Sequence, residues 1–138
     1  MRYTKYNTIT GELLGWGKGE QSQIDRLASR NISVVIDDIE TDVKNKYIDP
    51  LNLSNGFIDR PDHSMTINKT TLTADLVDEV IISNCEVGAT YEISGPETYL
   101  TGTLTDTTLD FSTDDDGVFT IRIEAFPAKK GIFEVTAT

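Results

Sequence analysis

Towards the end of the chain, apolar and polar positions alternate. Phe119, Ile121, Ile123 and Ala125 are separated by Thr120, Arg122 and Glu124, the period-2 pattern of a strand with one face buried and one in water. After the connection 127–131 (PAKKG), Phe133, Val135 and Ala137 alternate with Glu134 and Thr136. A second strand is therefore expected to return beside the first as an antiparallel hairpin. From residue 62 onwards short strand-like segments recur about every ten residues: MTINKTTL, DEVIIS, ATYEIS, TYLTGTL, TTLDFS, GVFTIRIEAF and GIFEVTA. Seven such segments with turn signals between them predict an immunoglobulin-like antiparallel β-sandwich over 62–138. Its expected core is Ile67, Leu72, Val80, Ile82, Tyr91, Ile93, Leu100, Leu104, Leu109, Phe111, Phe119, Ile121, Ile123, Phe133 and Val135. Antibody hallmarks are missing, because there is one cysteine and Trp16 lies outside this half.

The first sixty residues have a different rhythm. Segments 2–8 and 13–16 flank a Thr10-Gly11 turn signal and predict a short hairpin. GWGKG (15–19) is expected to loosen the backbone after it; its glycines resemble a phosphate loop but lack the Gly-Lys-Ser/Thr ending. Residues 20–30 (EQSQIDRLASR) place Ile24, Leu27 and Ala28 on one face of a helix, with Asn31 as its stop. ISVVI (32–36) reads as a strand and the acidic run 37–42 as a solvated connection. KYID and GFIDR, separated by Pro50–Asn55, read as two more short strands with an Asn55-Gly56 turn signal. Together these describe a small α+β unit over 1–61, so the fold class is mainly β with one helix.

Composition narrows the functional classes. The 138 residues carry a net charge of −11, unevenly placed. Residues 1–60 hold eight Lys/Arg and nine Asp/Glu, whereas 61–138 hold four and fourteen. Such an acidic half repels phosphate backbones, so nucleic acid is not an expected partner. No apolar run approaches the roughly 18 residues needed to span a bilayer, and residues 1–20 lack a signal-peptide core, so neither membrane insertion nor secretion is expected. Without a secretory signal, the Asn-x-Ser/Thr triplets at Asn31, Asn52 and Asn68 are read as chance matches.

No residue cluster points to catalysis, and no cofactor is expected. Cys85 is the only cysteine; with no basic neighbour to activate it, it reads as a structural thiol. His63, the sole histidine, stands beside Asp62 and Ser64, but sequence neighbours do not converge as a triad and it reads as a polar linker residue. In Ser112–Gly117, a calcium-loop register puts Asp114 and Asp116 at positions three and five. Position twelve would then be Ile123, where a bidentate acid is required, so the run reads as an acidic turn. Tyr3, Tyr6 and Trp16 are the candidate interface residues: so small a unit cannot easily bury three large rings, so one or more is a candidate for contact with another chain, with ordinary core burial as the favoured alternative.

A resemblance adds to this reading. Tyr6-Asn7, Thr10-Gly11-Glu12 and Gly15, then Lys46-Tyr47-Ile48-Asp49 and the step 56–61 (GFIDRP), together with 123–127 (IEAFP) and 133–137 (FEVTA), resemble a group of small tailed-bacteriophage virion proteins with a C-terminal Ig-like domain. The sequence departs from that group by inserting Pro50–Asn55 and by Asn84-Cys85-Glu86 at a turn often rich in glycine or proline. The resemblance implies a non-enzymatic structural protein of the virion, in the tail, baseplate or fibre-attachment region and assembled in the host cytoplasm. Its partners would be other virion proteins and further copies of itself, with a host surface as a further one. The first unit would dock on the particle and the acidic sandwich would be exposed. A host-surface adhesion module and a capsid decoration protein are the alternatives with the same fold.

Overall fold

The computed structural model describes residues 2–28, 30–36 and 44–138. Among the described residues the fold is mainly β, with sheets antiparallel apart from one short parallel pairing and with a single α-helix, and it divides into two compact units, Met1–Arg60 and Pro61–Thr138.

In the first unit, β1 (Arg2–Asn7) lies between β2 (Leu13–Lys18) and β3 (Ile32–Ile36), antiparallel to both. The hairpin turn is held by Asn7, whose side-chain oxygen accepts the Ile9 and Thr10 N–H groups at 2.9 and 3.0 Å. Gly11 closes it at φ +80°, and the Ile48 N–H donates to the Gly11 carbonyl at 3.0 Å. A Cβ at Gly11 would lie 1.6 Å from the Ile48 oxygen, so this contact requires glycine. The helix α1 (Gln21–Ala28) buries Ile24. The Gln23 side chain reaches back to accept the Glu20 N–H at 3.1 Å, half of a capping box. Asn31 ends the helical region at φ +57°, in the left-handed conformation that asparagine tolerates. Ala28 is exposed, so the buried stripe is narrower than the expected one. β4 (Lys46–Ile48) and β5 (Phe57–Asp59) form an antiparallel pair, linked through a 3-10 turn at Leu53–Asn55. Tyr6, Leu13 and Ile48 form the small core, flanked by Val35 and Phe57. The acidic run 37–42 lies outside the described residues.

GWGKG differs from expectation. Gly15 and Gly17 are strand residues of β2, paired with Lys5 and Tyr3. Gly17 is needed because the Tyr3 ring lies on it, within 2.8 Å of where a Cβ would stand. Gly15, at φ +120°, lies beside the register shift between Lys5 and Tyr6.

The second unit is a β-sandwich. One sheet has the order β10 (Tyr99–Thr103), β9 (Thr90–Ser94), β12 (Gly117–Glu124), β13 (Gly131–Ala137), β7 (Thr71–Leu72). The other has the order β11 (Leu109–Phe111), β8 (Val80–Ser83), β6 (Thr66–Ile67). All seven segments contribute strands, but MTINKTTL is split between the sheets: β6 pairs with β8, and β7 runs parallel to β13. Asn68 makes the crossing. Its side-chain oxygen accepts the Ile81 N–H at 2.8 Å while its own N–H donates to the Ile81 carbonyl at 3.1 Å.

One core joins the sheets, with Val80, Ile82 and Phe111 from one side and Ile93, Phe119, Ile121, Ile123 and Val135 from the other. The Phe111 and Phe119 ring centroids are 5.1 Å apart. Leu100 departs from the expected core, being 52% exposed. Its position in β10 follows the inward alternation, but the facing sheet has only three strands and leaves this edge uncovered.

Candidate interaction surfaces

The three rings of the first unit have different environments. Tyr3 is buried over Gly17, and Tyr6 is buried beside Leu13 and Ile48. Trp16 remains 49% exposed, with the Arg2 guanidinium 4.8 Å from its ring centroid in a cation–π contact. Leu14, two positions earlier on β2, is also exposed. Of the candidate interface rings, Trp16 is therefore the one that presents an apolar platform, with a cation fixed against it. Two Arg2 nitrogens and the Thr4 hydroxyl are shielded from solvent without a hydrogen-bond partner among the described residues.

A second surface is the outer face of the five-stranded sheet. Register places Thr101, Glu92, Arg122 and Ile132 in one row across β10, β9, β12 and β13. Arg122 donates to Glu92 at 3.4 Å, and the Tyr99 hydroxyl donates to the same carboxylate's other oxygen at 3.4 Å. Lys130 and Glu124 approach to 3.8 Å beside them. These strands line an open groove of ≈ 450 Å³ whose walls include Thr90, Thr103, Arg122 and Glu124. With paired charges and threonine hydroxyls it is equipped to exchange hydrogen bonds with a polar ligand.

The remaining sequence candidates serve local structure. Cys85 is buried, its thiol facing the Ile82 carbonyl at 3.6 Å, and burial raises its pKa above the ordinary thiol value. The His63 Nδ1 accepts the Met65 N–H at 3.2 Å, and its ring sits edge-on to Phe133 with centroids 5.7 Å apart. Asp62 instead approaches Lys129, at 3.8 Å. Asp114, Asp115 and Asp116 are exposed, with the Asp115 N–H held by the Thr113 hydroxyl at 3.0 Å. No group of three or more metal-binding side chains converges among the described residues.

The shifted carboxylates belong to turns. Lys69 donates to Asp78, which also accepts the Thr73 N–H, and these contacts lower its pKa. Asp75 is lowered by the Asp78 and Val77 N–H groups, and Asp49 by Asn52 and the Leu51 N–H. The Arg122–Glu92–Tyr99 cluster escaped the sequence reading because alternation marks Arg122 as outward-facing without revealing which strand will lie beside it. Comparison with known protein families, with curated proteins and with solved structures finds no match.

Proposed function

We propose that this chain is a non-enzymatic structural component of a tailed-bacteriophage virion, in the tail, baseplate or fibre-attachment region. The first unit is the docking part, and the acidic unit is an Ig-like sandwich exposed on the particle. The proposal rests on the resemblance of the segments around Tyr6–Gly15, Lys46–Asp49 and 56–61 to such proteins. The single structural observation that supports it is the Trp16 platform, half-exposed and backed by Arg2, in the unit of nearly balanced charge. A large, half-exposed ring is the kind of anchor around which protein interfaces concentrate their energy. The neighbouring acidic unit favours solvent over condensed polyanions.

The test is assembly. Mass spectrometry of purified particles from a phage encoding this sequence is expected to find the chain as a stoichiometric component, and Trp16→Ala is expected to reduce its incorporation. Its absence from such particles overturns the reading. A second reading, host-surface recognition, is favoured by the open groove along Arg122 and Glu92. It predicts that the chain without particles binds host cells and that Arg122→Ala abolishes this binding.

A further inference from the structure

Three of the four sheet edges in the sandwich are short: β6 and β7 have two residues each, and β11 has three, the middle one charged Asp110. Short and charged edges are the usual protection against strand addition. β10 lacks it. Five residues long, it reads Tyr99-Leu100-Thr101-Gly102-Thr103, without a charge, and lies at the sheet edge with Tyr99, Leu100, Thr101 and Thr103 exposed.

Backbone phase shows what this edge offers. The Leu104 N–H donates to the Ala89 carbonyl, and the Gly95 N–H donates to the Thr98 carbonyl, at 2.8 and 2.9 Å. In the antiparallel register of β10 with β9, strand alternation then directs the N–H and C=O groups of Leu100 and Gly102 towards β9. Those of Tyr99, Thr101 and Thr103 point away from the sheet. We infer that this edge pairs with the same edge of a second copy of the chain, antiparallel, with the two Thr101 residues on the dyad.

That register matches itself in two ways. Tyr99 faces the partner's Thr103, and Thr101 faces its counterpart, so every outward-pointing backbone group falls in a hydrogen-bonded pair. Leu100 falls opposite the partner's Gly102 in the closer, non-hydrogen-bonded spacing, a large side chain against a residue with none of its own. The Tyr91 phenol lies over Gly102, its hydroxyl 2.6 Å and its nearest ring carbon 2.7 Å from where a Cβ would stand, so the incoming Leu100 meets the edge of an aromatic ring. The exposure that sets Leu100 apart from the rest of the core thereby finds its cover. Glu97 and Asp106 flank the strand, so like charges approach at each end and salt strengthens the pair by screening them. The pairing does not depend on the virion reading, since it is a property of the chain alone in solution.

Two measurements on the full chain test it. Sedimentation velocity from about 10 μM to about 1 mM is expected to show a weak dimer, because strand pairing alone covers less than a standard interface. The dimer fraction is expected to rise as NaCl goes from about 0.05 to about 0.5 M. Thr101→Pro removes an N–H that serves no intrachain ladder bond, a substitution sheet edges accept, and is expected to leave the chain monomeric. Thr101→Cys, with diamide as oxidant, captures the pair covalently: the dyad Cα atoms stand about 5.5 Å apart, within disulfide range. It is expected to cross-link about tenfold faster than Thr66→Cys on the exposed β6 edge, because pairing raises the local thiol concentration. The buried Cys85 contributes little background. Thr101→Cys cross-linking no faster than Thr66→Cys overturns the inference whatever the sedimentation shows, and so does a dimer that Thr101→Pro leaves intact.

Discussion

Three glycines in one hairpin separate three physical costs, and replacing each by alanine measures them apart. At Gly11 both the dihedral and the space are wrong for a side chain: φ is +80°, and a Cβ would lie 1.6 Å from the Ile48 carbonyl oxygen, a backbone atom that cannot swing aside. The left-handed conformation costs about 1–2 kcal/mol, and forced repacking about 1–3 kcal/mol. Losing the Ile48 N–H bond to Gly11 adds about 1 kcal/mol, so Gly11→Ala is expected to cost roughly 3–6 kcal/mol in all. Gly15, at φ +120° with nothing within 4 Å, pays only for the dihedral, about 1–3 kcal/mol. Gly17 has no such φ and meets only the end of the Tyr3 ring, so Gly17→Ala is expected to cost about 1 kcal/mol. A unit of sixty residues has about 3–9 kcal/mol to lose, and Gly11→Ala alone should bring it close to unfolding. Trp16, the only tryptophan, lies in this unit, so urea unfolding followed by its fluorescence reads the effect directly. A Gly11→Ala midpoint matching that of Gly15→Ala would refute the steric account of the Gly11–Ile48 contact.

Further outcomes follow from the second unit. Phe119→Ala removes a fully buried ring that packs on Phe111 and is expected to cost about 3–5 kcal/mol; a shift in the circular-dichroism urea transition under about 1 kcal/mol would contradict this packing. Asp75 and Asp78 have pKa values below the ordinary 3.8, so their contribution to stability is complete above that value and declines as pH falls through and below it. Asp78→Asn is expected to flatten the acid limb of the stability profile, and an unchanged limb would show that the Lys69 and Thr73 contacts do not matter. Burial raises the Cys85 pKa, so iodoacetamide at pH 8 is expected to label it only in denaturant; rapid labelling of the native chain would count against a closed core.

Much of the fold was legible because alternation is a property of the strand itself. Phe119, Ile121 and Ile123 had to share a face, and all three are buried. What escaped depended on neighbours remote in sequence. MTINKTTL reads as one strand, yet Asn68 divides it by offering a side-chain oxygen to Ile81, a residue in another strand. GWGKG reads as a break, yet its first four residues belong to β2, where the Tyr3 ring takes the room left by Gly17. Leu100 reads as core because alternation specifies a face; whether that face is covered depends on how many strands the opposite sheet contains.

The candidate surfaces divide along the same line. An excess of large rings over available core was visible in the first unit, but which ring would stay outside was decided by pairings. Tyr3 faces Gly17, which can lie beneath it, and Tyr6 faces Leu13, which packs with it, so both are buried. Trp16 faces Thr4, a residue too small to cover an indole, and the cation of Arg2 lies over its ring. An indole left half in water beside a guanidinium keeps apolar surface available, and covering that surface with a partner removes it from water without disturbing Tyr3 or Tyr6. If the first unit docks as proposed, Trp16→Ala should lower incorporation into purified particles more than it lowers the urea midpoint, whereas Tyr6→Ala, which empties the small core, should do the reverse.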